Sequence, residues 1–250
     1  MKSPTQRASV AEIVSGVYRI SAYHEPWRSS INQYLLDGDE PVLVSTGMRA
    51  SFDDTWSAIG TVLDPTTLRG IVVLHFESDE CGALNEYLEH APRAVTLASM
   101  RATMASLADV ALRPVRGLGD GEVVSAGNWT LRVLEAPYVH AWDGIIVVEE
   151  RTNIAFTGDL FLQPGQGEAV TRDDRSALSV QLYRTFYGTP PEVPLQRALD
   201  RIEAAGPTML APGHGAVVAG NLAPYYRAYR QAASTSAALK SVTESLMPAR

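Results

Sequence analysis

The sequence contains a single cysteine, no apolar run long enough to cross a bilayer, and no surplus of basic residues. One cysteine excludes an internal disulfide framework and is typical of a protein from a reducing compartment. The formal net charge of −7 argues against general nucleic-acid binding, which needs a basic surface. The first ten residues lack the apolar core of a signal peptide, so we expect a cytoplasmic location without membrane contact.

The remaining composition is that of an ordinary globular protein. The chain has 250 residues, of which 46% are apolar and 20% are charged, and this length suits one large α/β or β-rich domain. It has no internal repeat, low-complexity tract or shift in composition. We therefore predict a single domain over residues 1–250.

The stretch from His75 to Gly82 carries the strongest chemical signal. It follows a short β-branched run, 71–74, that is typical of a buried strand. His75, Glu77 and Asp79 occupy alternate positions, so in an extended chain their side chains point to one side. The acids crowd here and repel one another unless cations lie among them. A solvated acidic loop is the simpler alternative for this stretch alone.

Three more candidate ligands follow predicted strands elsewhere in the chain. They are His140, Asp159 and His214. Each has an ordinary structural explanation: a hydrogen-bonded loop histidine, a helix N-cap, and a turn cap. Strand ends at one edge of a sheet sandwich face a common crevice, so these segments can meet the stretch after residue 74. Together they predict a metal site.

Strands and helices alternate in two blocks, which predicts two sheets inside and helices outside. Residues 163–188 form a candidate lid or insertion, with an irregular connection as the alternative. A long helix is expected within residues 221–250. The predicted strands are 14–20 (interrupted at Gly16), 32–36, 41–44, 71–74, 94–98, 123–124, 130–134, 145–148, 154–157 and 207–210; the predicted helices are 53–63, 84–89, 100–110, 175–187, 193–205 and 222–246.

The order His-x-Glu-x-Asp, then His140, Gly158-Asp159 and Gly213-His214-Gly215, resembles the metallo-β-lactamase fold superfamily. It resembles in particular the di-iron branch of flavodiiron proteins and related oxygen-binding di-iron proteins. The resemblance covers nearly the whole chain through His214 and implies an α/β fold, an αββα sandwich of the metallo-β-lactamase type. Hydrolytic zinc members usually carry histidine at the position of Glu77, and this glutamate favours iron.

The resemblance also implies how the ligands divide. One metal takes His75, Glu77 and His140, a second takes Asp79 and His214, and Asp159 bridges them. Three carboxylates with three imidazoles suit iron, or manganese, better than an imidazole-rich set does, while zinc remains an alternative. Two iron ions are therefore the expected cofactors.

The sequence departs from the family pattern at two positions. Glu80 stands where histidine is common, and it either ligates the second metal or points away from it. Ser45 stands where many members of the superfamily carry an acid, so support for a metal-bound histidine must come from elsewhere.

By resemblance, the expected function is binding or reduction of dioxygen or nitric oxide, as a reductase, oxygenase or oxygen sensor. The chain has no phosphate-cradling glycine loop, so we expect no flavin in it and a separate electron donor as partner. A homodimer is the assembly that the relatives suggest. Candidates to line the pocket are His24, Tyr138, Trp142 and Tyr187.

Two other functions stay open. A binuclear metallohydrolase of an ester, lactone, thioester or phosphodiester would use a bridging hydroxide as nucleophile. A structural metal site in a binding or scaffold protein is the third alternative. It fits less well because structural zinc sites favour cysteine and closed tetrahedral geometry.

Overall fold

The computed structural model describes residues 8–233 as two β-sheets stacked face to face with helices on both outer surfaces. The predicted αββα sandwich is confirmed. The first sheet is antiparallel from β1 to β4 and parallel from β4 to β7. In spatial order its strands are β1 (Ser9–Val14), β2 (Val17–His24), β3 (Ser29–Leu36), β4 (Val42–Val44), β5 (Gly70–Val73), β6 (Val95–Ser99) and β7 (Val115–Leu118).

The second sheet also mixes both pairings. Strands β8 to β11 are antiparallel neighbours, and β11 pairs in parallel with β13. Its spatial order is β12-β14-β13-β11-β10-β9-β8. The strands are β8 (Val123–Ala126), β9 (Trp129–Glu135), β10 (Ile145–Glu149), β11 (Ile154–Gly158), β12 (Val170–Thr171), β13 (Met209–Pro212) and β14 (Val217–Ala219).

The helices cover the two outer faces. Those on the first sheet include α1 and α3, and those on the second include α6, α7 and a last helix whose described part is 223–233. The rest of the helix predicted to reach residue 246 lies outside the described residues. The bounds are α1 (Phe52–Ile59), α2 (Ser78–Cys81), α3 (Leu84–His90), α4 (Met100–Ala102), α5 (Ala108–Val110), α6 (Ser176–Tyr187) and α7 (Glu192–Ala205), with a π-helical turn, Thr103–Leu107, between α4 and α5.

Three apolar layers hold these elements together. The middle layer lies between the sheets and contains Tyr34, Trp129 and Phe156, all at most 2% exposed. The other two layers pack each sheet against its helices. Near-continuous apolar strands such as β5 and β10 are buried on both faces, which explains why they lack alternation.

Several predicted elements differ in detail. The strand predicted over 14–20 is a hairpin: Gly16 has a φ of +79° and turns the chain between β1 and β2. The helix predicted over 100–110 forms, but its centre is wound as a π-helix. Strands β7, β12 and β14 were not predicted, because each is short and lacks a long β-branched run. Across residues 8–233, every helix is too short or too polar to cross a membrane.

The ends of β5, β11 and β13 meet at one edge of the sandwich. The two sheets are joined there by a hydrogen bond of 2.8 Å from the Ile145 amide to the Leu74 carbonyl. The Gly213 amide donates to the Gly158 carbonyl at 2.7 Å, and the Asn32 amide donates to the Gly213 carbonyl at 2.8 Å. Loops that follow three separate strands are therefore fixed against one another.

Candidate metal centre

Two groups of potential metal ligands meet at this edge. Each residue offers one nitrogen or oxygen atom, and within a group these atoms lie within 4.8 Å of one another. Asp159 belongs to both groups. The first group also contains His75, Glu77 and His140, and the second also contains Asp79 and His214.

The first group consists of four ring and carboxylate atoms that face one another. Nε2 of His75 lies 3.2 Å from Oε2 of Glu77 and 3.2 Å from Nε2 of His140. Nε2 of His140 lies 3.3 Å from the same oxygen of Glu77 and 3.4 Å from Oδ2 of Asp159. Two imidazole nitrogens this close cannot both donate to each other. A cation between them satisfies every lone pair at once.

The second group also needs a cation, because the tautomer of His214 is fixed. Nδ1 of His214 lies 2.9 Å from the Ser30 carbonyl, which can only accept, so Nδ1 carries the proton. Nε2 then faces Oδ2 of Asp79 at 3.0 Å and Oδ1 of Asp159 at 3.4 Å. A neutral ring would set its lone pair against two acceptors. A second proton or a metal ion must therefore sit on that side.

Unpaired buried oxygens also fit a cation. Oδ1 of Asp79 and Oδ1 of Asp159 are buried and have no hydrogen-bond partner. Uncompensated carboxylate oxygens are costly in a protein interior. A Cβ on Gly213 would lie 3.0 Å from Oδ1 of Asp159, so glycine is the residue that leaves room at this point. Hard oxygen ligands with imidazoles suit iron or manganese.

The local structure corrects two details of the sequence argument. Alternation along an extended chain predicted that His75, Glu77 and Asp79 converge on one point. Instead the chain enters the short helix α2 after Glu77, and Asp79 turns into the second group. His140 was expected directly after a strand, but it lies in the loop between β9 and β10, five residues beyond Glu135.

In both groups the charged states of the imidazoles and the carboxylates depend on one another. Burial alone lowers the pKa of His75, but the hydrogen bond to Glu77 and the nearby acids raise it to about 10. Hydrogen bonds from His140 and His75 lower the pKa of Glu77 to about 2. For His214, burial opposes the charges of Asp159 and Asp79, and the acids raise its pKa to about 9. The acids thus stabilise a positive charge at each imidazole, the role that metal ions take over.

Glu80 lies beside both groups without belonging to either. It is 2% exposed, and its Oε2 accepts a 2.6 Å hydrogen bond from the Ser45 hydroxyl. Burial raises the pKa of Glu80 to about 7. A Cβ on Gly213 would lie 3.2 Å from its Oε1, so Glu80 and Asp159 face the same small space.

A polar network under β3 holds His214 in place. The Asn32 side chain donates to the carbonyls of Pro212 and Gly215, on either side of His214. The buried Arg19 donates to Oδ1 of Asn32 at 3.0 Å and to the Ser30 hydroxyl at 3.3 Å. The carbonyl of Ser30 in turn accepts the hydrogen bond from Nδ1 of His214. The position of this ring is therefore set by the first sheet, although His214 follows a strand of the second.

Tyr187, at the end of α6, reaches the shared carboxylate. Its hydroxyl donates a short hydrogen bond to Oδ2 of Asp159, and its ring stacks on His140 with centroids 3.8 Å apart. Burial, and then the charge of Asp159, raises the pKa of Tyr187, so its hydroxyl stays protonated at neutral pH. The residues predicted as a lid thus contribute a side chain to the site.

A cavity of about 230 Å³ opens beside the cluster. Of the four residues predicted to line the pocket, Tyr187 does so. His24 ends β2 and packs on Trp27, and it does not line the cavity. Tyr138 and Trp142 are 58% and 42% exposed in the loop that carries His140. The residues around the cavity are Trp27, Ser29, Glu77, Asp79, Leu162, Pro164, Leu182, Phe186, Tyr187 and His214.

The apolar wall of this cavity was not predicted. Trp27 ends a single 3-10 turn, Glu25–Trp27, and Pro164 lies in a loop, so neither belongs to a segment long enough to show a periodic signal. The one available hint was the presence of aromatic residues, among them Phe186, in the candidate lid or insertion at 163–188.

Comparison with protein families gives one clear match. The profile of the family described as ODP family beta lactamase matches residues 29–215, three quarters of the chain. The matched range contains both candidate metal groups and ends directly after His214.

Curated relatives include flavo-diiron and diflavin proteins and a rubredoxin-oxygen oxidoreductase. The chain is 26% identical to flavo-diiron protein FprA2 of Clostridium acetobutylicum over 216 residues, which are 82% of this chain and 54% of that protein. It is 23% identical to the rubredoxin-oxygen oxidoreductase of Megalodesulfovibrio gigas, over 78% of this chain and 50% of that protein. The chain thus spans about half the length of these relatives.

Solved structures share the fold. A fragment, 1–254, of putative diflavin flavoprotein A 5 from Nostoc sp. superposes with a TM-score of 0.84 at 17% identity, covering 96% of this chain and all of that one. Rubredoxin oxygen:oxidoreductase from Desulfovibrio gigas superposes with a TM-score of 0.80 at 20% identity, covering 90% of this chain and 61% of that one. At these identities the match speaks for the fold alone.

Proposed function

The chain belongs to the ODP beta-lactamase family, and from that premise we propose that it is a non-haem di-iron oxidoreductase that binds and reduces dioxygen or nitric oxide. The observation that carries the proposal is the pair of ligand groups joined through Asp159. Two such groups with one shared carboxylate are what a binuclear centre needs, with ions about 3.5–4 Å apart.

The ligand assignment follows the two groups. His75, Glu77 and His140 would hold one iron, Asp79 and His214 would hold the other, and Asp159 would be shared by both. When bound, the iron(II) ions supply electrons to the diatomic molecule. The relatives named as flavo-diiron proteins support iron over zinc for this donor set.

Protein side chains set the surroundings of the bound molecule. The Tyr187 hydroxyl, protonated at neutral pH, holds a proton at the carboxylate shared by both metals. The Ser30 carbonyl holds His214 in the tautomer whose Nε2 faces the centre. Apolar walls at Trp27 and Leu182 limit the access of water.

Electrons for turnover come, in this proposal, from a separate carrier protein. One relative is named a rubredoxin-oxygen oxidoreductase, and a small iron-sulfur electron carrier is the class of donor that we propose here. Glu77, whose side chain is 42% exposed, is the candidate ligand nearest to the surface at which such a carrier could approach.

Metal analysis and oxygen reactivity test the proposal directly. The protein is purified from iron-supplemented cells without a chelator, its metals are measured, and the reduced form is exposed to air. We expect about two irons per chain and a visible band that depends on oxygen. Zinc with hydrolysis of a chromogenic ester, and no spectral change in air, would support the metallohydrolase instead.

A further inference from the structure

The cavity beside the metal centre is larger than a diatomic molecule requires. Its volume is about 230 Å³, whereas one water occupies about 30 Å³ in the liquid and an apolar cavity of about 150 Å³ already binds benzene. Dioxygen and nitric oxide are of the size of one or two waters. The site therefore has room for an organic molecule with a single ring.

The lining divides into an apolar wall and a polar floor. Two aromatic rings, Trp27 and Phe186, stand at the wall and remain 38% and 54% exposed. Leu162, Pro164 and Leu182 complete it, while Glu77, Asp79 and His214 form the floor. Apolar walls with a few convergent polar groups are the usual lining of a small-molecule site. A ligand that matches has an apolar ring and one polar group.

We propose that this cavity binds an aromatic alcohol with a single ring. The ring lies against Trp27, Leu182 and Phe186, where flat apolar surface is available to stack on. The hydroxyl group points to the floor, where Oε1 of Glu77, the carboxylate oxygen that does not face His75 and His140, accepts its hydrogen bond. The inference deepens the proposed function, and rests on it for the metals at the floor, because it names an organic compound that enters the same site as the diatomic.

Calorimetric titration of phenol into the metal-loaded protein without oxygen tests the cavity. We expect saturable binding at one site. Leu182→Trp, which fills the cavity, should weaken binding at least tenfold. The matched control is Leu178→Trp, one turn earlier on α6 at a position that is 43% exposed and outside the lining. Its dissociation constant for phenol should lie within twofold of that of the unaltered protein.

A second variant covers the case in which Leu182→Trp disturbs folding. Phe186→Ala shortens an exposed part of the wall, and we expect binding at least threefold weaker. Absence of saturable binding by the metal-loaded protein overturns the proposal. So does phenol binding that neither variant weakens. Iron content and the oxygen-dependent band are measured on the same samples, so failure of the aromatic ligand is distinguishable from failure of the di-iron assignment.

Discussion

The Ser45 hydroxyl donates a 2.6 Å hydrogen bond to Oε2 of Glu80, and this contact joins the two positions at which the resemblance led us to expect other residues. Ser45 also adopts a φ of +64°, which is rare for a residue other than glycine. The two positions therefore interact. Residue 45 is not an acid, and its hydroxyl donates a hydrogen bond to the acid at residue 80.

Glu80→Gln should stabilise the metal-free protein at alkaline pH alone. Burial raises the pKa of Glu80 from 4.5 to about 7, so the folded protein loses stability as pH rises between these values and the carboxyl group ionises. We expect the free energy of unfolding of the variant to exceed that of the unaltered protein by about 1–2 kcal/mol at pH 8.5 and to differ little from it at pH 5.5. Urea unfolding at both pH values measures this.

The control for Glu80→Gln is Glu89→Gln at an exposed position of α3, which should change stability little at either pH. An equal gain for Glu80→Gln at both pH values would show that the ionised carboxylate is not the cause. The same variant should retain about two metals, because Glu80 belongs to neither ligand group.

Asp159→Ala should cost both metals. Asp159 is the one residue common to the two ligand groups, so its loss removes a ligand from each and leaves the surrounding imidazoles without their shared partner. We expect less than about half a metal ion per chain, by inductively coupled plasma mass spectrometry, against about two in the unaltered protein. Asp109→Ala at an exposed position is the control. A full complement of metal in Asp159→Ala would refute the bridging role.

Glu77→Gln and Asp79→Asn should each affect one metal. Their carboxylates lie in different groups, so each substitution removes one negative charge from one ion. We expect each variant to bind one metal with affinity near that of the unaltered protein, and the other at least tenfold more weakly. Competition with a chromogenic chelator separates the two affinities. Parallel loss of both metals in both variants would contradict the division.

Tyr187→Phe should keep the metals and slow the reaction with oxygen. The substitution removes the hydroxyl that donates to Oδ2 of Asp159 but keeps the ring that stacks on His140. We expect metal content within about 20% of the original and about tenfold slower formation of the oxidised band in stopped-flow mixing. Tyr138→Phe, at a residue 58% exposed, should react at the original rate. Unchanged kinetics in both variants would remove Tyr187 from the reaction.

Most of the candidate ligands could be predicted because they follow strands that are recognisable in the sequence. The run before His75 and the run before Asp159 are β-branched and apolar, and parallel strands bring their ends to one edge. The expectation that His140 directly follows a strand was wrong, since it lies within a loop. Its residue type and its place in the motif order still marked it as a candidate ligand. The family pattern supplied the pairing of these residues with two metals, which spacing alone did not.

The cavity could not be predicted in the same way. Trp27 lies in a single 3-10 turn and Leu162 and Pro164 lie in a loop, and segments this short have no period that assigns an apolar residue to a face. Leu182 has helical neighbours, but only the packing of α6 on the second sheet decides that it lies beside the centre and that Leu178 faces water. Tertiary packing, not local pattern, shaped this surface.

A carboxylate common to two cation sites makes their filling interdependent. The first ion to arrive neutralises part of the negative charge of Asp159, so the second ion meets a weaker attraction at the same carboxylate. Where metal ions are scarce, a population of this protein would therefore pass through molecules that carry a single ion before the second group fills. Scarcity would lower the number of complete centres before it emptied the molecules.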